Sequence, residues 1–406
     1  MAAGPLAGPW HRLVTDPLGA RRVAADVLGR VLRSGAYSNV LLDSSTRSQA
    51  PPDRARTKAL TYGVLRRLET IDAAIERAAD RPTSAIDQGF VDRLRVSAFE
   101  LLYSNMPTAV AVSAGVDLVK EKSSRAAGFA NAVLRRVSER PLPDDEVHSL
   151  ELPGWLESDL VGEWDPAEIT AFAIDSGNDP GRTVRFDRDA DPVGHPVDEI
   201  EGAYRIEAGP LPSGSHVQDA ASIAVGNSVD AAPGMTVVDL AAAPGGKAAH
   251  LRDQVGAEGL VLAVDHHERR VRAGRRRMPD LHWVVADART PPLAKASFQR
   301  VLLDAPCSGL GTLRRRPEIR LRVQHSDIER LAALQSEMVE SALELVAPGG
   351  RLVYSVCTVT PQETIEVTEP YDFRPAPVPG RIWGKGTLMA PHLTATDGMF
   401  VAIHDL

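Results

Sequence analysis

From Gly234 onward the sequence alternates continuous apolar runs with stretches of helical pattern. The runs are TVVDL, LVLAVD, HWVVAD, RVLLDAP and GRLVYSVCT. A strand without polar alternation is buried on both faces, which is typical of a parallel sheet covered by helices on each side. The pattern predicts a doubly wound, Rossmann-like α/β domain. Ligands of such domains bind outside the carboxyl ends of the strands.

The first part of the chain has helical periodicity instead. In ARRVAADVLGRVLRSG the apolar residues Val23, Val27 and Leu28 recur at helical spacing, and Gly35 ends the pattern. The same periodicity is found in RARTKALTYGVLRRLETIDAAIERAA, VDRLRVSAFELLY, AVSAGVDLVKEKSS and GFANAVLRRV. We therefore predict an all-α domain over residues 1–140.

The 406 residues exceed one ordinary hydrophobic core, so two or three domains are expected. Residues 141–216 are rich in Pro, Gly and Asp, with candidate strands in GRTVRFD and GAYRIEAG. We predict a linker and a small α/β subdomain there, followed by the Rossmann-like domain over residues 217–406.

The net charge of −8 hides a division along the chain. Residues 1–140 contain 21 Lys and Arg against 14 Asp and Glu, whereas residues 141–216 contain 4 against 18. A basic segment beside an acidic one indicates surfaces with different partners, and the acidic one is not expected to face phosphates. Arginine pairs occur at 21–22, 66–67 and 135–136. We interpret them either as exposed helix surface or as RNA contacts.

Cysteine usage and the first residues bear on the compartment. The chain has only two cysteines, which argues against a disulfide framework and fits a reducing compartment. The N-terminal stretch MAAGPLAGPWHRLVTDPLGARR has no basic region followed by an apolar one, and no apolar run approaches 18 residues. We expect a cytoplasmic protein that acts as a monomer, without a membrane or metal partner.

A glycine pair follows the first predicted strand, in VVDLAAAPGGKAAHL. Small residues let a ligand approach the backbone, and the start of the next helix offers N–H groups. The dinucleotide pattern G-x-G-x-x-G is absent, which disfavours NAD and FAD and leaves S-adenosylmethionine as the better fit. The predicted cofactor loop consists of Ala241, Ala242, Ala243, Pro244, Gly245, Gly246 and Lys247.

Aspartates occur at the ends of four successive predicted strands, at Asp239, Asp265, Asp287 and Asp304. One such residue is usually a local helix cap, but four along one sheet edge indicate a ligand site. We predict that Asp265 accepts hydrogen bonds from ribose hydroxyls and Asp287 from an adenine amino group, with Asp304 completing the cofactor site.

The two cysteines, Cys307 in LLDAPCSGLG and Cys357 in LVYSVCT, also lie at predicted strand ends. We expect these strands to be neighbours, so that both thiols face one pocket. The alternative interpretation is a pair of core cysteines. Either thiol can become a reactive thiolate near basic groups, so physical reasoning leaves open which one attacks.

The stretches DLAAAPGGK, DAPCSGLGTLRRRPEIR and GGRLVYSVCTVTPQE resemble the RNA 5-methylcytosine methyltransferases of the Sun/RsmB type. The helical N-terminus, closed by AVLRRV, resembles the NusB-like RNA-binding domain of the branch that acts on small-subunit ribosomal RNA. The resemblance implies a class I methyltransferase domain that uses S-adenosylmethionine to methylate carbon 5 of a cytosine in small-subunit (16S) ribosomal RNA. It also implies that Cys357 is the nucleophile.

Methylation at carbon 5 of cytosine, which the resemblance implies, explains why cysteine, aspartate and arginine residues occur at these positions. Carbon 5 of cytosine becomes nucleophilic only after a thiolate adds to carbon 6, and its proton must later be removed. Cys307, on a tight loop beside Asp304, suits the removal of that proton. A protonated Asp304, with its pKa raised by desolvation, would stabilise charge at ring N3. The target base must leave its stack, and we predict that Arg314, Arg315 and Arg316 hold the RNA phosphates.

Three other functions were weighed. An amino-group methyltransferase typically has an Asn/Asp-Pro-Pro-aromatic loop, where this chain has Asp-Ala-Pro-Cys. A DNA cytosine methyltransferase uses a Pro-Cys nucleophile but needs neither the second cysteine nor a NusB-like domain. A non-catalytic RNA-binding or ribosome-assembly factor that retains the fold is the remaining alternative.

Overall fold

A computed structural model of the protein describes residues 18–143, 152–207 and 209–406. Two compact units are present. The helical unit comprises the described part of Met1–Gly154 with Ala173–Asp179 and Leu313–Arg322, and the α/β unit comprises the rest. The first 17 residues, from which a secretory signal was judged absent, and residues 144–151 of the predicted linker lie outside the described residues. The domain limits 1–140, 141–216 and 217–406 stay predictions.

The helical unit is built from seven α-helices within residues 18–143. They are α1 (Gly19–Ser34), α2 (Ser38–Ser45), α3 (Pro51–Arg66), α4 (Leu68–Ala79), α5 (Gln88–Tyr103), α6 (Thr108–Lys120) and α7 (Ala127–Glu139). In α1 the predicted stripe is buried at Val27 and Leu28, and the helix ends at Gly35, whose φ of 61° favours glycine. The all-α prediction for this part of the chain is confirmed.

Several of the paired arginines are buried, contrary to their interpretation as exposed surface. Arg21 is 3% exposed and donates to Glu100 at 2.6 Å, and Arg66 and Arg67 are also buried. A buried guanidinium needs a partner, and Glu100 lies 79 residues away in sequence. Arg135 and Arg136 are exposed as predicted.

The segment Leu313–Arg322 belongs to the helical unit although it follows the Cys307 loop in sequence. Its main-chain oxygen at Arg314 accepts from the guanidinium of Arg66 at 2.7 Å. Glu318, 2% exposed, accepts from both the amide and the hydroxyl of Ser38. These buried polar contacts hold the segment Leu313–Arg322 against the helices of this unit.

The α/β unit contains a small antiparallel sheet with the order β2-β3-β1-β4. Its strands are β1 (Arg182–Phe186), β2 (His195–Pro196), β3 (Ala203–Ile206) and β4 (Ser215–Val217). Strands β1 and β3 are those predicted in GRTVRFD and GAYRIEAG. Helices α8 (Gly154–Leu160) and α9 (Pro166–Ser176) precede this sheet in sequence.

The large sheet has a parallel core in the order β9-β8-β5-β6-β7. The core strands are β5 (Thr236–Asp239), β6 (Leu260–Asp265), β7 (His282–Val285), β8 (Phe298–Asp304) and β9 (Val346–Val356). Each corresponds to one of the five apolar runs, and their order reverses beside β5, as in doubly wound folds. The Rossmann-like prediction is confirmed. An antiparallel extension that was not predicted adds β10 (Arg374–Pro375), β11 (Arg381–Trp383), β12 (Gly386–Met389) and β13 (Met399–Asp405). Within it β13 pairs with β9.

Helices connect the parallel strands and cover the sheet. They include α10 (Ala220–Ser228), α11 (Gly246–Val255), α12 (Glu268–Arg277), α13 (His325–Leu345) and α14 (Pro361–Thr368). At the start of α13 the spacing of Ser326 and Glu329 is that of a capping box, but the structure forms the box from Gln324 and Asp327. None of the helices in the described parts of the chain is long and apolar enough to cross a membrane.

Candidate active site

The strand order brings the predicted aspartates to one edge of the sheet. Asp239, Asp265 and Asp304 are the last residues of β5, β6 and β8, and Asp287 lies two residues beyond the end of β7. Because parallel neighbours end at the same edge, these side chains share the edge at which doubly wound folds bind ligands.

The loop of residues 241–247 joins β5 to the start of α11. Gly245 has a φ of 107°, and a Cβ there would lie 2.2 Å from the Met278 Cε atom, so the turn requires glycine. A Cβ at Gly246 would meet nothing within 4 Å, so the backbone is open on that side. The helix begins after Gly245, which has no side chain to cap the first-turn N–H groups.

Asp265 and Asp287 both have partners within the chain. Asp265 is 5% exposed and accepts from the amides of Ala243 at 3.1 Å and His267 at 2.8 Å. It therefore holds the cofactor loop against the end of β6. Asp287 is paired with Arg289 at 2.7 Å, and the hydrogen bonds from that guanidinium lower the pKa of Asp287 to about 2.

Lys247 and Asp304 form an ion pair at the centre of this edge. The Lys247 Nζ atom lies 2.8 Å from Asp304 Oδ2, and Ser355 donates to Asp304 Oδ1 at 2.9 Å. Burial alone would lower the pKa of Lys247, but the Asp304 carboxylate, the hydrogen bond to it and the charge of Cys357 raise it. Lys247 therefore stays an ammonium, and its positive charge interacts with the charge of Cys357.

Asp239 is a buried carboxyl beside this pair, 1% exposed, with neither oxygen in hydrogen-bonding geometry to a described partner. Burial raises its pKa to about 7, and the Asp304 carboxylate contributes in the same direction. The nearby ammonium of Lys247 and the Ala241 amide only partly offset this. Asp239 is therefore partly protonated near neutral pH.

The two cysteines meet because β8 and β9 are parallel neighbours. Cys357 directly follows β9, Cys307 lies three residues after β8, and their sulfurs are 3.2 Å apart. The hydrogen bond to Cys357 and burial raise the pKa of Cys307 well above its usual value, with further contributions from Glu363 and Asp304. Burial and the neighbouring sulfur therefore favour the protonated form of Cys307.

This site can be compared with known proteins. The family model for the 16S rRNA methyltransferase RsmB/F matches residues 228–404, and the NusB family model matches residues 18–139. Ribosomal RNA small subunit methyltransferase B of Thermus thermophilus is 36% identical over 402 residues, covering 94% of this chain and 96% of that protein. The chain belongs to the RsmB/F family of 16S rRNA methyltransferases.

Two further comparisons agree with this assignment. The protein of the same name from Pseudomonas syringae pv. tomato is 31% identical, with 86% of each chain covered. The solved structure of PH0851 has a TM-score of 0.75 over 96% of this chain and 99% of that one, at 24% identity, and so shows the same fold. The predicted resemblance to the family and its NusB-like domain is confirmed.

In this RsmB/F chain the three arginines predicted to contact RNA differ in their exposure to solvent. Arg314 is buried, at 6% exposure, in the segment that packs among the helices. Arg315 is half-buried and Arg316 is exposed. Arg314 therefore does not present its side chain to RNA in this conformation, and Arg316 is the best placed of the three.

Two carboxyl groups of the site had no role in the sequence analysis. Asp239 was noted only as a strand end, and its burial next to Lys247 depends on three strands coming together. Glu363, in the stretch TPQE, is fully buried and accepts hydrogen bonds from both cysteine loops. The only sequence signal for Glu363 is its position shortly after Cys357.

Among the described residues no group of three His, Cys, Asp or Glu is arranged to hold a metal ion.

Proposed function

We propose that this protein transfers a methyl group from S-adenosylmethionine to carbon 5 of a cytosine in small-subunit ribosomal RNA, through a covalent bond between Cys357 and carbon 6. The observation that carries the proposal is the pair of thiols 3.2 Å apart, of which one is favoured in its protonated form and the other lies near an ammonium. The 36% identical relative is a ribosomal RNA small subunit methyltransferase, which supports the substrate class.

The residues of the cofactor loop fit S-adenosylmethionine. The uncapped start of α11 and the open backbone at Gly246 suit its carboxylate, and Asp265, Asp287 and Asp304 are the proposed partners of its polar groups. The remaining proposed loop contacts are Ala241, Ala242, Ala243, Pro244, Gly245 and Lys247. The bound cofactor would supply an electrophilic methyl group.

The two thiols would act in sequence. Cys357, favoured as a thiolate by Lys247, adds to carbon 6, and its negative charge is thereby consumed. The hydrogen bond and charge of Cys357 are among the causes that raise the pKa of Cys307, so bond formation lowers that pKa. Cys307 can then release its own proton to solvent, and the resulting thiolate accepts the carbon 5 proton when that proton must leave. Elimination regenerates the Cys357 thiolate.

Asp304 would stabilise the charge that develops at ring N3. Our prediction was a protonated Asp304, whereas the structure has Lys247 donating to it at 2.8 Å. We propose that this ammonium supplies the proton through Asp304 as the ring becomes negative.

Bisulfite sequencing tests the reaction. We expect 16S ribosomal RNA from a strain that lacks this gene to lose one 5-methylcytosine, and purified protein with S-adenosylmethionine to restore it. Complementation with a Cys357→Ala variant is the control. If loss of the gene changes the bisulfite signal of no base, while Cys357→Ala restores a ribosome-assembly defect of that strain, the protein is an assembly factor and the proposed reaction is wrong.

Asp265→Ala is expected to weaken S-adenosylmethionine binding by about 10- to 100-fold, because a carboxylate that orients the loop and accepts hydrogen bonds is lost. Isothermal titration calorimetry on the full chain measures this. Asp280→Ala is the control, since Asp280 is an exposed carboxylate after α12. Equal affinities for the two variants would contradict the role of Asp265.

The helical unit is the proposed RNA-binding domain, within residues 1–140. Replacement of the exposed Arg135 by Gln should reduce the slope of log K against log salt concentration by about 1 if it contacts a phosphate. Filter binding of a 16S ribosomal RNA fragment to the full chain measures this slope. The control Glu139→Gln changes an exposed charge on the same helix and should leave it unchanged. An unaltered slope in Arg135→Gln would remove α7 from the RNA contact.

A further inference from the structure

Glu363, at the start of α14, is a buried carboxylate between the two cysteine loops and is 0% exposed. Its Oε1 atom accepts from the Ser308 amide at 2.8 Å and from the Gln335 side chain at 3.1 Å. Its Oε2 atom accepts from the hydroxyls of Ser308 at 2.5 Å, Thr360 at 2.9 Å and Thr358 at 3.1 Å. Five donors thus converge on one side chain.

These donors come from both loops that carry the thiols. Ser308 directly follows Cys307, and Thr358 directly follows Cys357. The Gln335 amide also donates to the main-chain oxygen of Pro306, the residue before Cys307, at 2.9 Å. Glu363 therefore ties each cysteine loop to the other, and both to the long helix α13.

A carboxylate suits this position because it only accepts hydrogen bonds, so all five donors can be satisfied at once. Leaving those buried hydroxyls and amides without an acceptor would favour loop arrangements in which they reach water. Such arrangements would move Cys307 away from Cys357, because the donors adjoin the two cysteines.

We propose that Glu363 is a positioning residue, which holds the Cys307 and Cys357 loops in the register that keeps the two thiols in contact. Its link to catalysis rests on the proposed function, whereas its effect on the distance between the thiols does not. Glu363 also contributes to the raised pKa of Cys307, after the larger effects of Cys357 and burial. It touches neither sulfur in the contacts described.

Disulfide formation in the free protein measures the distance between the thiols without any activity. The chain has only Cys307 and Cys357, so loss of titratable thiol in dilute protein treated with diamide reports this one pair. Diamide takes up the two electrons and two protons that the thiols release. We expect Glu363→Ala to form the disulfide about tenfold more slowly than the unaltered protein, because the thiols spend less time in contact.

Glu363→Gln distinguishes loss of the hydrogen bonds from loss of the negative charge of the carboxylate. Its amide oxygen can accept from the Ser308 amide and the Gln335 side chain, and its NH₂ group can donate to two of the three hydroxyls, which then act as acceptors. We expect disulfide formation within about threefold of the unaltered protein, since four of the five hydrogen bonds are replaced. Glu366→Gln, an exposed carboxylate on the same helix, is the matched control and should change nothing.

Ser308→Ala is the second variant, because it removes a single hydroxyl and keeps the proposal testable if Glu363→Ala does not fold. It should slow disulfide formation by about threefold, as one tie of the Cys307 loop is lost. Unchanged rates in folded Glu363→Ala, or in Ser308→Ala where Glu363→Ala is unfolded, would overturn the proposal.

Steady-state kinetics test whether the contact between the two thiols affects methylation. For methylation of 16S ribosomal RNA, Glu363→Ala should lower kcat by about 100-fold with little change in KM, and Glu363→Gln should recover most of the loss. If the unaltered protein methylates no RNA while disulfide formation still depends on Glu363, the proposed function fails and the positioning role stands. If Glu363→Ala methylates normally, the positioning role in catalysis is wrong.

Discussion

Cys357→Ala is expected to abolish both methylation of 16S ribosomal RNA and the covalent protein–RNA complex, whereas Cys307→Ala is expected to accumulate that complex. In the proposed mechanism Cys357, near the Lys247 ammonium, supplies the thiolate that bonds to carbon 6. Cys307, whose pKa is raised, would lose its proton only after that bond has formed, and its removal would leave the methylated adduct without an acceptor for the carbon 5 proton. The adduct then persists.

Denaturing electrophoresis of protein incubated with radiolabelled RNA and S-adenosylmethionine measures the complex, because only a covalent bond survives denaturation. The double variant Cys307→Ala/Cys357→Ala is the control and should give no complex. If Cys357→Ala traps RNA while Cys307→Ala does not, the two roles are exchanged and the assignment is wrong.

Lys247→Met is expected to reduce methylation by about 100-fold and to move the pH dependence of adduct formation to higher pH. The ammonium lies 2.8 Å from Asp304 and favours the thiolate of Cys357. Without it, the carboxylate and the developing ring charge lose their stabilising partner, an effect comparable to removing an oxyanion-hole donor. The thiol then ionises only in more alkaline solution. The pKa of Asp239 should rise further, since Lys247 lowers it.

Single-turnover adduct formation in the Cys307→Ala background, followed across pH, measures the shift in Lys247→Met. Calorimetry with S-adenosylmethionine separates a loss of cofactor binding from a loss of chemistry. Lys295→Met removes an exposed ammonium that pairs with Glu344 and is the matched control. An unchanged pH dependence in Lys247→Met would show that the ammonium does not control the thiolate.

Much of the α/β unit follows from local sequence. The five apolar runs form the five parallel strands, because a strand that is buried on both faces is apolar at consecutive positions. The strand-end positions of Asp239, Asp265 and Asp304, and the neighbouring strands of Cys307 and Cys357, follow from the same pattern. The antiparallel strand β13 was missed, since its apolar run MFVAI carries no signal for the direction of pairing.

Capping and burial of charged residues were harder to predict. The start of α13 offers polar side chains at adjacent positions, and the structure selects Gln324 and Asp327 over Ser326 and Glu329. Arg21 lies on a helix whose sequence is compatible with exposure. Its burial is decided by Glu100, whose approach depends on the packing of α5 against α1.

The sequence by itself determined the fold class, the cofactor loop and the two cysteines, because each is encoded in a short stretch whose periodicity or composition is self-contained. Only the tertiary structure decided that the two sulfurs lie 3.2 Å apart and that Glu363 accepts hydrogen bonds from both cysteine loops. Both depend on charges and hydrogen bonds between residues far apart in sequence, such as Ser308 and Glu363, 55 residues apart. Electrostatic interactions depend on distance and burial, and these are set only when the strands and loops pack together.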